Sequence, residues 1–239
     1  MSKHRPRLLS GHRRGPAVSA CYLGVLCGLC GSASVARADE FSQTSKYSVR
    51  MFSGGTLTLE TRTGDIRIEA WDEPRLEIEA EKVVRAGSEA KAKPLYNKIQ
   101  VSVEGQDKDV YLRTLYPPRR PWRPFRDESK LSVNLRIRMP YDANLVLKCV
   151  DGDVTVSGLT AREQLRVNYG DVEIDLPSAW DLRSLRARAW LGYVQSDLQG
   201  TERDSAGLQQ KVFFWNARGK QDVAVDVHMG GVWVYSQPQ

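Results

Sequence analysis

Cysteine is scarce in this chain, and most of it lies where it cannot act. Cys21, Cys27 and Cys30 fall within the first 38 residues, and only Cys149 stands beyond them. One thiol forms no internal disulfide, so packing alone must hold the domain, and folding needs no oxidant. Histidine is equally thin, with His228 the only one after residue 38. One histidine and one cysteine are too few for zinc coordination of the usual kind, so neither a metal site nor a cofactor is expected. A Ser-His-Asp or Cys-His mechanism would have His228 as its only base. Charge of one sign is also missing. Six of the 35 basic residues and none of the 29 acidic ones lie in residues 1–38, which leaves 29 of each in the remainder. A neutral mature chain gives no general attraction to nucleic acid, which is set aside as a partner. Apolar runs long enough to span a bilayer are absent beyond residue 38, so the mature chain is expected to carry no transmembrane helix.

Residues 1–38 read as a secretory signal peptide. Lys3, Arg5, Arg7, Arg13 and Arg14 make a positive start, Ala17 to Cys30 an apolar stretch, and Ala36-Arg37-Ala38 a small-x-small cleavage site before Asp39. Val18-Ser19-Ala20-Cys21 faintly suggests a lipoprotein box, but it precedes most of the apolar run, and Arg13-Arg14 lacks the hydrophobic followers of a twin-arginine signal. The mature protein is therefore expected to be residues 39–239, exported and then periplasmic, envelope-associated or secreted.

What is abundant is one short phrase: a glycine, usually an aspartate, then alternating β-branched residues. It occurs as Gly64-Asp65-Ile66-Arg67-Ile68, Gly152-Asp153-Val154-Thr155-Val156 and Gly170-Asp171-Val172-Glu173-Ile174, then as Gly192-Tyr193-Val194 and Gly230-Gly231-Val232-Trp233-Val234. Gly-Asp is turn chemistry, and the alternation after it marks a strand with one buried face. From Gly152 onward the copies lie 18, 22 and 38 residues apart. Such spacing predicts an all-β, single-domain, β-solenoid-like stack of short strands, with rungs of about 20 residues.

Tyr47 to Ser53 and Thr56 to Arg62 read as a hairpin about Gly54-Gly55. Ser88 to Lys98 is the one helix candidate, capped by Ser88 and divided by Pro94. In the strands, Leu135, Ile137, Leu147, Val154, Val156, Val172 and Ile174 are expected to point inward, and Arg136, Arg138, Thr155 and Glu173 outward. Met139-Pro140-Tyr141-Asp142-Ala143-Asn144-Leu145, Asp151-Gly152-Asp153-Val154 and Asn168-Tyr169-Gly170-Asp171-Val172 together resemble the bacterial putative-adhesin or "toastrack" family of unknown function. Gly64 to Asp72 fits the family's opening phrase, and the resemblance covers roughly residues 47–235. It implies an exported solenoid-like domain and brings no catalytic residues with it.

The remaining candidates each have a plain reading beside a functional one. Cys149 shares the inward parity of Leu145 and Leu147, and His228 the outward parity of Asp226. Asp65, Asp153 and Asp171 serve as turn formers or as a calcium-holding line on successive turns. Asp151 with Asp153, or Asp171 with Glu173, are the carboxylate pairs a glycosidase would need. Trp233 and Tyr235, with Phe213, Phe214 and Trp215, are end caps or a sugar-stacking platform. Residues 116–130 form a proline- and arginine-rich loop containing Pro118-Arg119-Arg120, Pro121-Trp122-Arg123 and Pro124-Phe125-Arg126. At three residues per polyproline II turn, Arg120, Arg123 and Arg126 share one ridge, and Arg119, Trp122 and Phe125 another. These six are the candidate binding residues, for anionic envelope lipid, glycan or another envelope protein. The expected function is a non-enzymatic, adhesin-like or envelope-associated binding domain; the alternative is a carbohydrate-active β-helix enzyme.

Overall fold

The computed structural model describes residues 39–117 and 131–236. Strand β1 (Asp39–Thr63) is followed by β2 (Ile66–Trp71) and β3 (Arg75–Ala86). Helix α1 (Glu89–Tyr96) precedes β4 (Gln100–Leu115). Next come β5 (Leu131–Pro140), β6 (Asn144–Asp151), β7 (Val154–Ser157), β8 (Glu163–Tyr169) and β9 (Val172–Leu176). The last third adds β10 (Leu182–Leu191), β11 (Val194–Ser196), β12 (Glu202–Ala206), β13 (Gln209–Trp215), β14 (Gln221–Met229) and β15 (Val232–Ser236). The all-β expectation is borne out: the strands make one open, 15-stranded sheet that runs from β11 to β12.

Glycine turns fold this sheet over itself. The end of β1 turns into β2, β6 into β7, β8 into β9, β14 into β15 and β10 into β11. The strands before the turns pair in parallel with one another, and so do the strands after them. Two faces result, with one apolar core between them. All seven residues expected to point inward are buried, and Arg136, Arg138 and Glu173 are exposed, with Thr155 half-buried. Cys149 joins this core at 3% exposure, and burial pushes its thiol up to about 12, which makes it inert.

Two expectations need correction, and the order of the rungs is a further finding. The rungs do not stack in chain order, because β14–β15 lies between β8–β9 and β10–β11. The reason is the far edge of β10, which pairs antiparallel with β13 of the β12–β13 hairpin. That hairpin covers an edge, so the rung bearing it has to be outermost. Gly54-Gly55 makes no hairpin either. Strand β1 passes through it, pairing antiparallel with β3 over residues 39–50 and in parallel with β4 and β6 from Thr56 onward. Gly54 has φ +70°, and a Cβ on Gly55 would lie 3.0–3.2 Å from three backbone carbonyl oxygens, so the pair bends the strand from one face to the other. Finally, α1 continues past Pro94, which sits close enough to the helix end to disturb little.

Candidate functional site

The corner where the rungs turn carries a regular chemical pattern among the described residues. Each turn glycine sits under the carbonyl of the next: Cβ atoms added to Gly152, Gly170, Gly230 and Gly192 would lie 2.2, 2.3, 2.0 and 1.8 Å from the oxygens of Gly64, Gly152, Gly170 and Gly230. The residue after the glycine forms a side-chain ladder along the stack. The Asp65 N–H donates to Asn134 Oδ1 (3.2 Å), the Asp153 N–H to Asp65 Oδ1 (3.1 Å), the Asp171 N–H to Asp153 Oδ1 (2.9 Å) and the Gly231 N–H to Asp171 Oδ1 (2.7 Å). The aspartates do line up on successive turns, as the calcium reading required, but each spends an oxygen on the next rung's backbone. Gly231 ends the ladder because a ring pair fills the space its side chain would need. Its Cβ would lie 2.8 Å from Tyr193 and Trp233 ring atoms, and those rings meet edge to face at 4.9 Å.

Replacing Asp171 with Ala orphans the Gly231 N–H and should cost about 1–2 kcal/mol in urea unfolding. Asp171→Asn keeps an acceptor oxygen and should recover most of that loss. Equal losses in the two variants would remove the ladder from the account of stability.

The position before each glycine changes character along the same corner. In spatial order it is Thr63, Asp151, Tyr169, Met229 and Leu191. Tyr169, Met229 and Leu191 are cross-strand neighbours, and together with Trp190 and Tyr193 each is between 39% and 48% exposed. Arg188 lies over the Trp190 ring at 5.5 Å, and His228 is 6.5 Å away, ring centre to ring centre. A polar corner at one end of the stack thus becomes an exposed apolar one at the other. Sequence reading missed it, since alternation puts Tyr169, Met229 and Leu191 on the inward parity of their strands, and only their place at the turn leaves them open.

The other candidates are scattered. His228 is exposed on its strand, as its parity required. Asp151 is exposed beside the turn, Asp153 and Asp171 belong to the ladder, and Glu173 stands on the outer face of β9. Phe214 packs on the core and covers the end of the stack, whereas Phe213 and Trp215 face outward. Trp233 lies inside the sheet, between β9 and β11, and so caps nothing. Arg119, Arg120, Trp122, Arg123, Phe125 and Arg126 lie outside the described residues. The chain enters their segment after β4 and leaves it at β5, the strands that flank the first rung.

On the outer face of β3, β5 and β2 a groove of about 670 Å³ is lined by alternating charges, including Lys46 with Glu79 at 3.8 Å and Arg138 with Glu69 at 3.9 Å. A second groove, of about 800 Å³, crosses the outer face of β8, β14, β10 and β13. No helix among the described residues is long and apolar enough to cross a membrane.

No family model and no curated protein matches the chain. Among solved structures it is similar to a putative cell adhesion protein from Clostridium sporogenes, at 12% identity and a TM-score of 0.50, over 82% of this chain and 100% of that one. It also matches putative adhesins from Parabacteroides distasonis (11% identity, TM-score 0.32, 83% of this chain and 70% of that one) and Bacteroides fragilis (10%, 0.26, 82% and 97%). The first likeness shows that the chain shares that protein's fold, in agreement with the resemblance its turn phrases carry.

Proposed function

We propose that this is a non-enzymatic, exported binding domain, adhesin-like or envelope-associated, with residues 1–38 as its signal peptide. The observation that carries this reading is the apolar corner of Tyr169, Met229, Leu191, Trp190 and Tyr193. Five large side chains left open at the turns of three adjoining rungs cost solubility, and exposed aromatic and apolar groups gathered at one end of a stack are characteristic of contact surfaces. The parallel ladders beneath hold it rigid, so little ordering entropy opposes binding. The Pro/Arg-rich loop of residues 116–130 is proposed as a second contact, joined to the stack at its opposite end. At about 1 kcal/mol per arginine near an anionic surface, its Arg119, Arg120, Arg123 and Arg126 supply only about millimolar affinity. They assist the corner rather than replace it.

The test uses the purified mature domain and washed envelope fractions. Trp190→Ala combined with Tyr193→Ser should lower retention about tenfold or more, while the melting temperature stays within a few degrees of the parent. A parent that is not retained, or a double variant retained as well as the parent, would remove the corner as a binding surface. Exported material is expected to begin at Asp39 on N-terminal sequencing.

A further inference from the structure

The outer groove over β8, β14 and β10 has a regular charge pattern with one member missing. Strand β14 lies between β8 and β10, and its outward residues are Asp222, Ala224 and Asp226. The outward residues of β8 are Gln164 and Arg166, with Arg162 just before the strand, and those of β10 are Ser184, Arg186 and Arg188. In the upper row Asp222 is gripped through both oxygens by Arg183, accepts from Ser184 (2.6 Å) and has Arg162 at 3.8 Å. The Arg183 hydrogen bond holds its carboxyl below the usual range, so its charge is retained and already matched. In the lower row Asp226 pairs with Arg188 at 3.2 Å. The middle row has no acid. Arg186 faces Ala224 on one side and Phe213 on the other, and it makes no ion pair among the described residues. Glu202 stands beyond Phe213, two strand spacings or roughly 10 Å from Arg186.

Ala224 therefore leaves both a missing charge and a missing volume, on the floor of the groove beside a free guanidinium. Around that gap stand Gln164, whose amide donates and accepts, and two aromatic rings, Phe213 and the 70% exposed Trp215. We propose that this groove binds an acidic saccharide, a uronate unit of a carboxylated polysaccharide, whose carboxylate takes the place an aspartate occupies in the rows above and below. A planar guanidinium matches a planar carboxylate through two parallel hydrogen bonds. The flat apolar face of a pyranose suits the exposed indole, and its hydroxyls suit Gln164. The site is open, so a single unit is held weakly and a polymer holds by occupying many domains at once. The groove shares no residue with the Trp190 and Tyr193 corner, and neither surface depends on the other.

The probes are an oligogalacturonate, the same oligosaccharide with its carboxyls reduced to alcohols, and vesicles containing phosphatidylglycerol. The mature domain should bind the oligogalacturonate at low salt about tenfold more tightly than the reduced form. Arg186→Gln should weaken that binding about tenfold by removing the charge. Ala224→Asp should weaken it equally while leaving Arg186 in place, since an internal carboxylate then fills the row. Both substitutions are on the outer face, and unchanged melting temperatures establish that the fold is intact. Absence of parental binding, equal binding of the reduced sugar, indifference to both variants, or equal retention on the vesicles would each overturn the assignment. The corner double variant should bind oligogalacturonate as the parent does, which keeps failure of this site distinct from failure of the corner.

Discussion

Replacing Glu163 with Gln should stabilise the domain by about 3 kcal/mol at neutral pH and flatten its stability between pH 5 and 8. Glu163 opens β8 on its inward side and is 1% exposed. Its one partner is Gln221, fully buried on β14, whose Nε2 donates to Glu163 Oε1 at 2.8 Å and to the Leu159 carbonyl at 2.8 Å. Two atoms are left over, Glu163 Oε2 and Gln221 Oε1. Both accept, so a proton on the carboxyl supplies the donor they lack. Burial favours the same form, pushing the group from 4.5 up to about 8, while the Gln221 hydrogen bond pulls weakly the other way. Among the described residues the other buried polar side chains are Thr61, Thr114 and Ser196 besides Gln221, so no buried cation compensates.

The sign is opposite to that of an ordinary carboxylate. The unfolded chain loses this proton near pH 4.5 and the folded chain near 8, so folding in between takes up a proton. Stability is full below the lower value and falls by up to about 1.4 kcal/mol per pH unit until the upper one is reached. A glutamine at 163 carries its own N–H for Gln221 Oε1 and still accepts from Gln221 Nε2, so the pair becomes reciprocal at every pH. Urea unfolding of parent and variant at pH 5, 6, 7 and 8 checks this. The variant should gain over the parent as the pH rises. A constant difference across that range, or a destabilised variant, would mean that Glu163 is charged in the native state.

Glu163 also shows what can be read from a chain of this kind. It stands two residues before Leu165 and four before Val167, on the parity that buries both, and Gln221 holds the same relation to Val223 and Val225. Alternation is the signal that places these polar residues inward, although the sequence reading singled out neither. The inward and outward assignment of β5, β7 and β9 was legible for the same reason, because a one-residue slip would reverse every side chain at once. Asn134 was missed, although it stands before Leu135-Arg136-Ile137 as Asp65 stands before Ile66-Arg67-Ile68. Rung order was not. Every rung carries nearly the same phrase, and a parallel connection long enough to reach one neighbour reaches the next. Only the covered edge of β10 decides the order, and that depends on a hairpin remote in sequence. The candidate surfaces shared this fate. Tyr169 meets Met229, and Gln164 meets Ala224, only because β14 lies beside β8.

Gly170→Ala should cost about 4 kcal/mol or more, enough to leave a domain of ordinary stability marginal. Gly170 has φ +128°, a region that side chains avoid, and it sits in the middle of the turn stack. Its N–H donates to the Met229 carbonyl (3.1 Å) while the Gly152 N–H donates to the Tyr169 carbonyl (3.0 Å), so the backbone is tied on both sides. An added Cβ would lie 2.3 Å from the Gly152 oxygen and 2.7 Å from its carbonyl carbon. That carbonyl belongs to a turn which is itself held by the Asp65–Asp153 contact, so it cannot retreat without breaking the ladder. Gly207→Ala serves as the control. Gly207 also has positive φ, +62°, but a Cβ there meets nothing within 4 Å, so it bears only the conformational cost of about 1 kcal/mol. Urea unfolding of the two variants separates strain from collision. A gap of about 3 kcal/mol is expected between them. Equal losses would show that the turns yield freely, and the close glycine-on-carbonyl contact would then not be what fixes the spacing of the rungs.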